Sequence, residues 1–244
     1  MGEGSKFSWM GFIAGGIFTL VVLFIGIFFE PMKTWVDSKF WSPEIKIEFE
    51  QKPPYFYGTT WGVKKVDKPV FGVPFSHEEI YKVYFCRFAI ENASRYKTVH
   101  GCRVKLMGIR HVDEAGKEVR DDRFEPVDLD LSGNAPVDLQ PKARIFAYLG
   151  KVSDVDYQKR YEIQLSGAAD QPQLRLLFLG DVPQWMPSHL VPGRHRLMVA
   201  AFFDDRGPVY QTFEVVWSGV WQEDEALMKN ELRVRKIDES IPFD

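Results

Sequence analysis

The hydrophobic pattern divides the chain in two. Behind MGEGSK, residues 7–29 (FSWMGFIAGGIFTLVVLFIGIFF) carry no charge. A helix of that length covers about 35 Å against about 30 Å of bilayer hydrocarbon, so a membrane-spanning helix is expected. The run ends in Phe28, Phe29, Glu30 and Pro31 rather than in a small-residue cleavage pattern. That favours an uncleaved anchor over a removed signal peptide. Pro31 is expected to stop the helix. Trp9 on one side, and Trp35, Phe40 and Trp41 on the other, stand where interfacial aromatics belong.

Further on, the period changes from helical to two. Glu44–Phe49 (EIKIEF) alternates and predicts a first strand. Residues 52–79 are rich in proline, glycine and aromatics, and predict a mostly irregular stretch with at most an edge strand. Tyr81–Ile90 (YKVYFCRFAI) is the strongest strand. Tyr84, Cys86, Phe88 and Ile90 share one of its faces, and Val83, Phe85, Arg87 and Ala89 the other. Gly101–Ile109 is expected to pair with it as a hairpin, with both cysteines facing inward. Asp113–Lys117 (DEAGK) reads as a turn with Gly at a positive φ. Val127–Leu131, Val137–Pro141, Ala143–Leu149, Tyr157–Leu165 and Gln173–Leu179 read as further short strands, the last with a short helix as its alternative. Residues 180–193 read as a loop. Two long strands, Arg194–Phe203 and Val209–Trp217, flank the hairpin loop DDRGP. From Trp221 onward QEDEALMKNELRVRK is acidic first and basic last, which complements a helix dipole. A short helix with Leu227, Met228 and Leu232 on its apolar side is expected there, followed by an extended segment.

These elements imply a mainly β chain in which about eight strands form two antiparallel sheets packed face to face. The expected organisation is a tail at 1–6, a transmembrane helix at 7–29, a juxtamembrane segment at 30–42, a β-sandwich domain at 43–220 and a helix and extended tail at 221–244.

Composition narrows the function classes. Charged residues are 27% and the net charge is −3, so nothing points to nucleic acid. The chain carries 20 Phe, 9 Tyr and 7 Trp, an excess that suits pleated, half-buried surfaces. Two cysteines, Cys86 and Cys102, are too few for a disulfide scaffold or a Cys-rich zinc site. Buried free thiols are the favoured reading, with a strained cross-strand disulfide and a reactive thiol as alternatives.

The order of motifs resembles a known family. Phe88–Asn92, Cys102–Leu106, Asp138–Pro141, Pro192–Leu197 and Phe213–Trp217 are similar to the strand and turn signatures of bacterial immunoglobulin-like domains of the cell-adhesion-related (CARDB) type. The resemblance spans about residues 80–217. It implies an immunoglobulin-like antiparallel β-sandwich in a membrane-anchored prokaryotic protein. The matching positions are structural, so it carries no functional residue with it.

Candidate chemistry is sparse. No zinc-protease, P-loop or dinucleotide motif occurs, and no cofactor or metal site is expected. His111 and Asp113 could share a strand face with a remote third ligand. Ser76–His77 and Ser188–His189 are sequence neighbours, which is no evidence for a catalytic triad. Asp128 and Asp130 alternate on one face, as on a solvated strand. Asn92-Ala93-Ser94 is a glycosylation acceptor or simply a turn. The contact candidates are aromatic: Tyr55, Tyr57 and Trp61 in one stretch, Trp185 and Met186 in another. Gly11 and Gly15 form a GxxxG spacing that would seat a second membrane helix.

The expected function is non-enzymatic protein binding by an anchored sandwich whose helix holds the bilayer through residues 7–29, with self-association through that helix as a further contact. A carbohydrate-binding or envelope-associated module, or an enzyme with an unrecognised site, is the alternative. Orientation stays open. Lys6 precedes the helix while Lys33, Lys39 and Lys46 follow it, which leans toward a cytoplasmic domain, whereas a short tail before a lone anchor more often leaves the domain outside.

Overall fold

A computed structural model describes residues 29–33, 43–66, 76–131, 136–162, 171–183 and 185–237. The chain forms two compact units, Met1–Pro43 and Glu44–Asp244. In the first, residues 29–33 are helical. Pro31, expected to stop the helix, lies inside this segment, which runs two residues beyond it. Among the described residues no helix is long and apolar enough to cross a membrane. Residues 7–28 of the expected span lie outside the described residues, as do Gly11, Gly15, Trp35, Phe40 and Trp41.

The second unit is mainly β, with antiparallel sheets. One sheet is built from β1 (Ile45–Glu48), β2 (Phe56–Val66), β3 (Ser76–Asn92), β8 (Arg144–Ser153), β9 (Leu174–Leu176) and β10 (His189–Leu190). Its order is β1-β3-β8-β9-β10, with β2 continuing the β1 side of β3. The other sheet is built from β4 (Val99–Val112), β11 (Gly193–Phe202), β12 (Val209–Trp217) and β13 (Leu232–Ile237). It runs β13-β12-β11-β4, and β5 (Glu118–Arg120), β6 (Val127–Asp128) and β7 (Val137–Leu139) share the remaining edge of β4.

For residues 52–79 the irregular reading fails at 56–66 and 76–79, the edge strand it allowed is present beside β3, and 67–75 lie outside the described residues. Phe56–Val66 is a long strand paired with β3 from Phe56↔Cys86 to Val66↔Ser76. Its prolines, Pro53 and Pro54, fall just before the strand, so they cost no ladder bonds. Phe56 points inward and stacks on Tyr84, ring centroids 5.7 Å apart, while Gly58 leaves room for the same ring.

β3 and β4 are not a hairpin. They lie in different sheets, and residues 93–98 cross from one to the other. β3 already has β1 and β2 on one edge and β8 on the other, so no edge is left for β4. The inward placement of both cysteines holds all the same: Cys86 and Cys102 are free and fully buried. Tyr84, Phe88 and Ile90 from one sheet, and Val104, Leu106, Leu197, Phe213 and Trp217 from the other, form one core. Phe88 and Phe213 meet across it with centroids 5.1 Å apart. The Trp217 indole donates to the Pro172 carbonyl at 2.9 Å, which satisfies its one polar atom.

Residues 127–131 tie the sheets along one side. Leu129 N donates to Val104 O at 2.8 Å, and Asp130 O accepts from Tyr148 N at 2.9 Å. The VDLDL alternation makes this workable, because Leu129 and Leu131 are the buried members.

Tyr157–Leu165 is not a strand where it is described. Asp154 caps a single helical turn, α1 (Val155–Tyr157), by accepting from Tyr157 N at 2.8 Å, and Gln158–Glu162 continues as a π-helix. Residues 163–165 lie outside the described residues. The C-terminal expectation holds in form: α2 (Glu225–Glu231), capped by Asp224, leads into β13. Met228 and Leu232 are buried as expected, but Leu227 faces solvent.

Candidate functional site

Antiparallel register decides which side chains meet on the outer surface of the first sheet. Tyr57 lies opposite Phe85, Phe85 opposite Lys151, Lys151 opposite Arg175, and Arg175 opposite His189. One row of side chains thus crosses β2, β3, β8, β9 and β10 on a single face. Around it the surface is aromatic. Tyr57 stacks on Phe85 at 5.7 Å, Phe85 meets Tyr148 edge-on at 5.5 Å, and Tyr81 meets Tyr157 at 4.8 Å.

Cations are threaded through these rings. The Arg87 guanidinium lies 4.7 Å from the Tyr57 centroid and 4.2 Å from that of Phe146. Its Nε donates to Pro54 O at 2.6 Å, which fixes the plane. Lys151 Nζ lies 5.6 Å from the Trp61 ring. Such contacts are each worth about 0.5–2 kcal/mol, more where water is excluded. Burial, aided by a hydrogen bond to Tyr148, pushes the Tyr57 phenol up to about 12, so it stays neutral at any physiological pH.

The outer face of the second sheet differs in kind. Glu118 pairs with Arg110 at 2.9 Å and with Arg196. Glu214, 2% exposed, accepts from Arg194 Nε and Arg235 Nε, both at 2.5 Å. Its surface is an ion-pair ladder and the other sheet's is a ring cluster.

A groove of about 580 Å³ opens at the β9–β10 edge, lined among others by Arg123, Arg175, Phe178, Val182, Trp185 and His189. Arg175 and His189 belong to the cross-strand row, so groove and aromatic face are continuous. Ser188 Oγ lies 3.0 Å from His189 Nδ1, a contact between chain neighbours.

Two of the five aromatic-stretch candidates are inside. Tyr55 is 3% exposed, packed against Phe146 at 5.7 Å, and Met186 is 5% exposed within the core. Burial removes both from any contact surface. Tyr57 is half-buried and Trp61 is 48% exposed on the aromatic face, while Trp185, 53% exposed, stands at the groove. Neither Tyr57 nor Trp61 is in a loop.

No family model, curated protein or solved structure matches the chain.

The histidines are arranged differently from the His111/Asp113 expectation. Asp113 Oδ1 accepts Lys117 N within its turn. His111 turns to His195 on β11, Nδ1 to Nδ1 at 2.8 Å, and its Nε2 lies 3.6 Å from the Asp121 carboxylate. His195 Nε2 donates to Val191 O at 2.8 Å, so its Nδ1 is the acceptor of the pair. Burial lowers His195 to about 4, with the neighbouring His111 acting the same way against the Val191 bond. Arg123, by hydrogen bonding, holds Asp121 below its ordinary value. Among the described residues no group of three or more His, Cys, Asp or Glu side chains is placed to hold a metal. Desolvation pushes the Cys102 thiol up to about 12 and Cys86 higher still, so neither is a thiolate at neutral pH.

Asn92 is no exposed acceptor. It is fully buried, with Nδ2 donating to Lys97 O at 2.7 Å and to Leu139 O at 2.9 Å.

Sequence reading missed Arg87, Phe146, Tyr148 and Lys151 as members of a surface. One signal was present. The face of YKVYFCRFAI assigned outward carries Val83, Phe85 and Ala89, too apolar for a plain solvated face.

Proposed function

We propose that this protein is a single-pass membrane-anchored β-sandwich that works by binding another protein on the aromatic outer face of its first sheet. The observation that carries the reading is the half-exposed field of Tyr57, Trp61, Phe146 and Tyr148 interleaved with Arg87 and Lys151. Aromatic side chains and arginine are the types that dominate binding energy at interfaces, because they present large rigid surfaces at small entropic cost. The burial of both thiols and of His195 supports binding over turnover.

The immunoglobulin-like reading belongs to the same proposal. The order β1-β3-β8 facing β12-β11-β4 follows the A-B-E and G-F-C strands of that fold, with residues 93–98 as its B–C crossing. The likeness to CARDB-type domains and self-association through Gly11 and Gly15 are further parts of it. Sugar stacking is disfavoured on this face, because the rings of Tyr57 and Phe146 already hold the Arg87 guanidinium.

The test is photo-crosslinking in native membranes with a benzophenone amino acid at Trp61, and with a control at Arg233 on β13. A discrete protein adduct from position 61, absent from 233 and reduced several-fold by Tyr148→Ala, is expected. Equal adducts from both positions, or none from 61, would overturn the reading.

A further inference from the structure

The end of the sandwich at which the chain enters is a rigid basic surface. Glu44, the first residue of the second unit, accepts from Ala93 N at 2.7 Å. Ala93 opens the β3–β4 crossing, Ala93-Ser94-Arg95-Tyr96-Lys97-Thr98. The buried Asn92 side chain holds that crossing from below. Besides its bonds to Lys97 O and Leu139 O, its Oδ1 accepts from Ser94 N at 3.1 Å and Ser94 Oγ at 2.6 Å. The Asn92 backbone adds a second set, with Lys142 N donating to Asn92 O at 2.7 Å and Asn92 N to Ala143 O at 3.0 Å. Crossing and turn are therefore one block.

The surface of this block is one-signed. Arg95, Lys97 and Lys142 are exposed, and among the described residues none has a carboxylate partner. The neighbouring carboxylates have other partners: Glu44 pairs with Lys46, Glu48 and Glu91 share Arg144, and Asp138 faces His100 and accepts from Gly101 N. Tyr96, between Arg95 and Lys97 in the chain, is 72% exposed. Such a large amphipathic ring between lysine and arginine suits a bilayer's headgroup layer, where the apolar body and polar tip are both accommodated.

We infer that this end of the sandwich docks on an anionic lipid surface, with Arg95, Lys97 and Lys142 on headgroup phosphates and carboxylates and Tyr96 among the headgroups. The inference rests on the anchor reading. If the span ends at Phe29, the connecting residues 30–43 reach at most about 50 Å, which keeps the block near the bilayer at high effective concentration. A basic side chain near an anionic surface strengthens binding about fivefold, so three together are worth on the order of 100-fold at low salt.

Lysine footprinting on the full chain tests this directly. The chain is placed in lipid discs of phosphatidylcholine alone, or with about a third phosphatidylserine, and acetylated under matched conditions. Lys97 and Lys142 should acetylate at least several-fold more slowly in the anionic discs. Lys117, in the exposed β4–β5 turn, should not change. Half-molar salt should abolish the difference, and so should the charge reversal Arg95→Glu with Lys142→Glu, read at Lys97. Equal rates at Lys97 and Lys142 in both discs, slow or fast, would overturn docking while leaving the anchor standing. A chain that elutes free of lipid would overturn the anchor and this inference together.

Discussion

Asn92 shows how much one buried amide can organise. Its four side-chain bonds satisfy the buried Leu139 carbonyl and the part-buried Lys97 carbonyl, and order the start of the crossing through Ser94. Removing the amide strands the buried Leu139 carbonyl, which costs about 1–3 kcal/mol, and releases Ser94, while Lys97 O keeps only the Ser94 hydroxyl as a donor. Asn92→Ala should therefore lose about 2–4 kcal/mol in urea unfolding, with an unchanged m-value. Ala93→Ser, one position along and half-buried, should change little. Asn92→Ala unfolding at the parent midpoint would show that the bonds contribute nothing net. From sequence this residue read as a turn asparagine, because a polar residue among small neighbours looks the same whether the turn is exposed or folded over a sheet end. Cys86 was legible for the opposite reason. It sits in phase with Tyr84, Phe88 and Ile90, and period-two alternation assigns it inward whatever the partner strand is.

Among the elements, long alternating strands were readable, and pairing was not. Val209–Trp217 matches its expected bounds, and Arg194–Phe203 is shifted by one residue at each end, since each has one clearly apolar face and the DDRGP loop between them. β2 was expected as no more than an edge strand, because its neighbourhood is rich in proline and glycine and FYGTTWGVKKV has no period-two alternation to mark it. The β3–β4 relation was misassigned because two consecutive strong strands joined by a short link usually pair, and edge occupancy is invisible in one dimension. The same link needs a particular backbone at its far end. Gly101 has φ +65° at an irregularity in the β4–β7 pairing, and a Cβ there would lie 2.0 Å from Asp204 Oδ2. An L residue is strained in that conformation, and this one also meets a carboxylate. Gly101→Ala should cost about 1–3 kcal/mol in thermal or urea unfolding, whereas Gly207→Ala, at an open hairpin position, should be close to neutral. Equal stability of the two variants would remove the strain argument.

At the scale of the whole molecule the two outer faces divide the labour. The second sheet spends its outer face on ion pairs, while the first leaves rings half-uncovered. The sequence could not reveal this, since each face is assembled from strands far apart in the chain. The ion pairs and the His111–His195–Asp121 group also set how the fold responds to acid. His195 has its folded value lowered from 6.5 to about 4, so between those limits the unfolded chain binds more protons and stability falls as pH falls. Asp121 and Glu225, both lowered, act with the same sign at lower pH as they protonate. Asp130, raised by burial, opposes them, because protonation suits its folded environment. In the window from pH 7.5 to 5 the histidine dominates, and its linkage amounts to about 2 kcal/mol. The parent should therefore lose roughly that much stability between those two pH values by urea unfolding. His195→Gln should be less stable at pH 7.5, having lost its place between His111 and Val191, yet nearly flat across the same window. A parent midpoint unchanged by pH, or a variant that keeps the full slope, would mean that His195 takes up its proton in the folded state without cost.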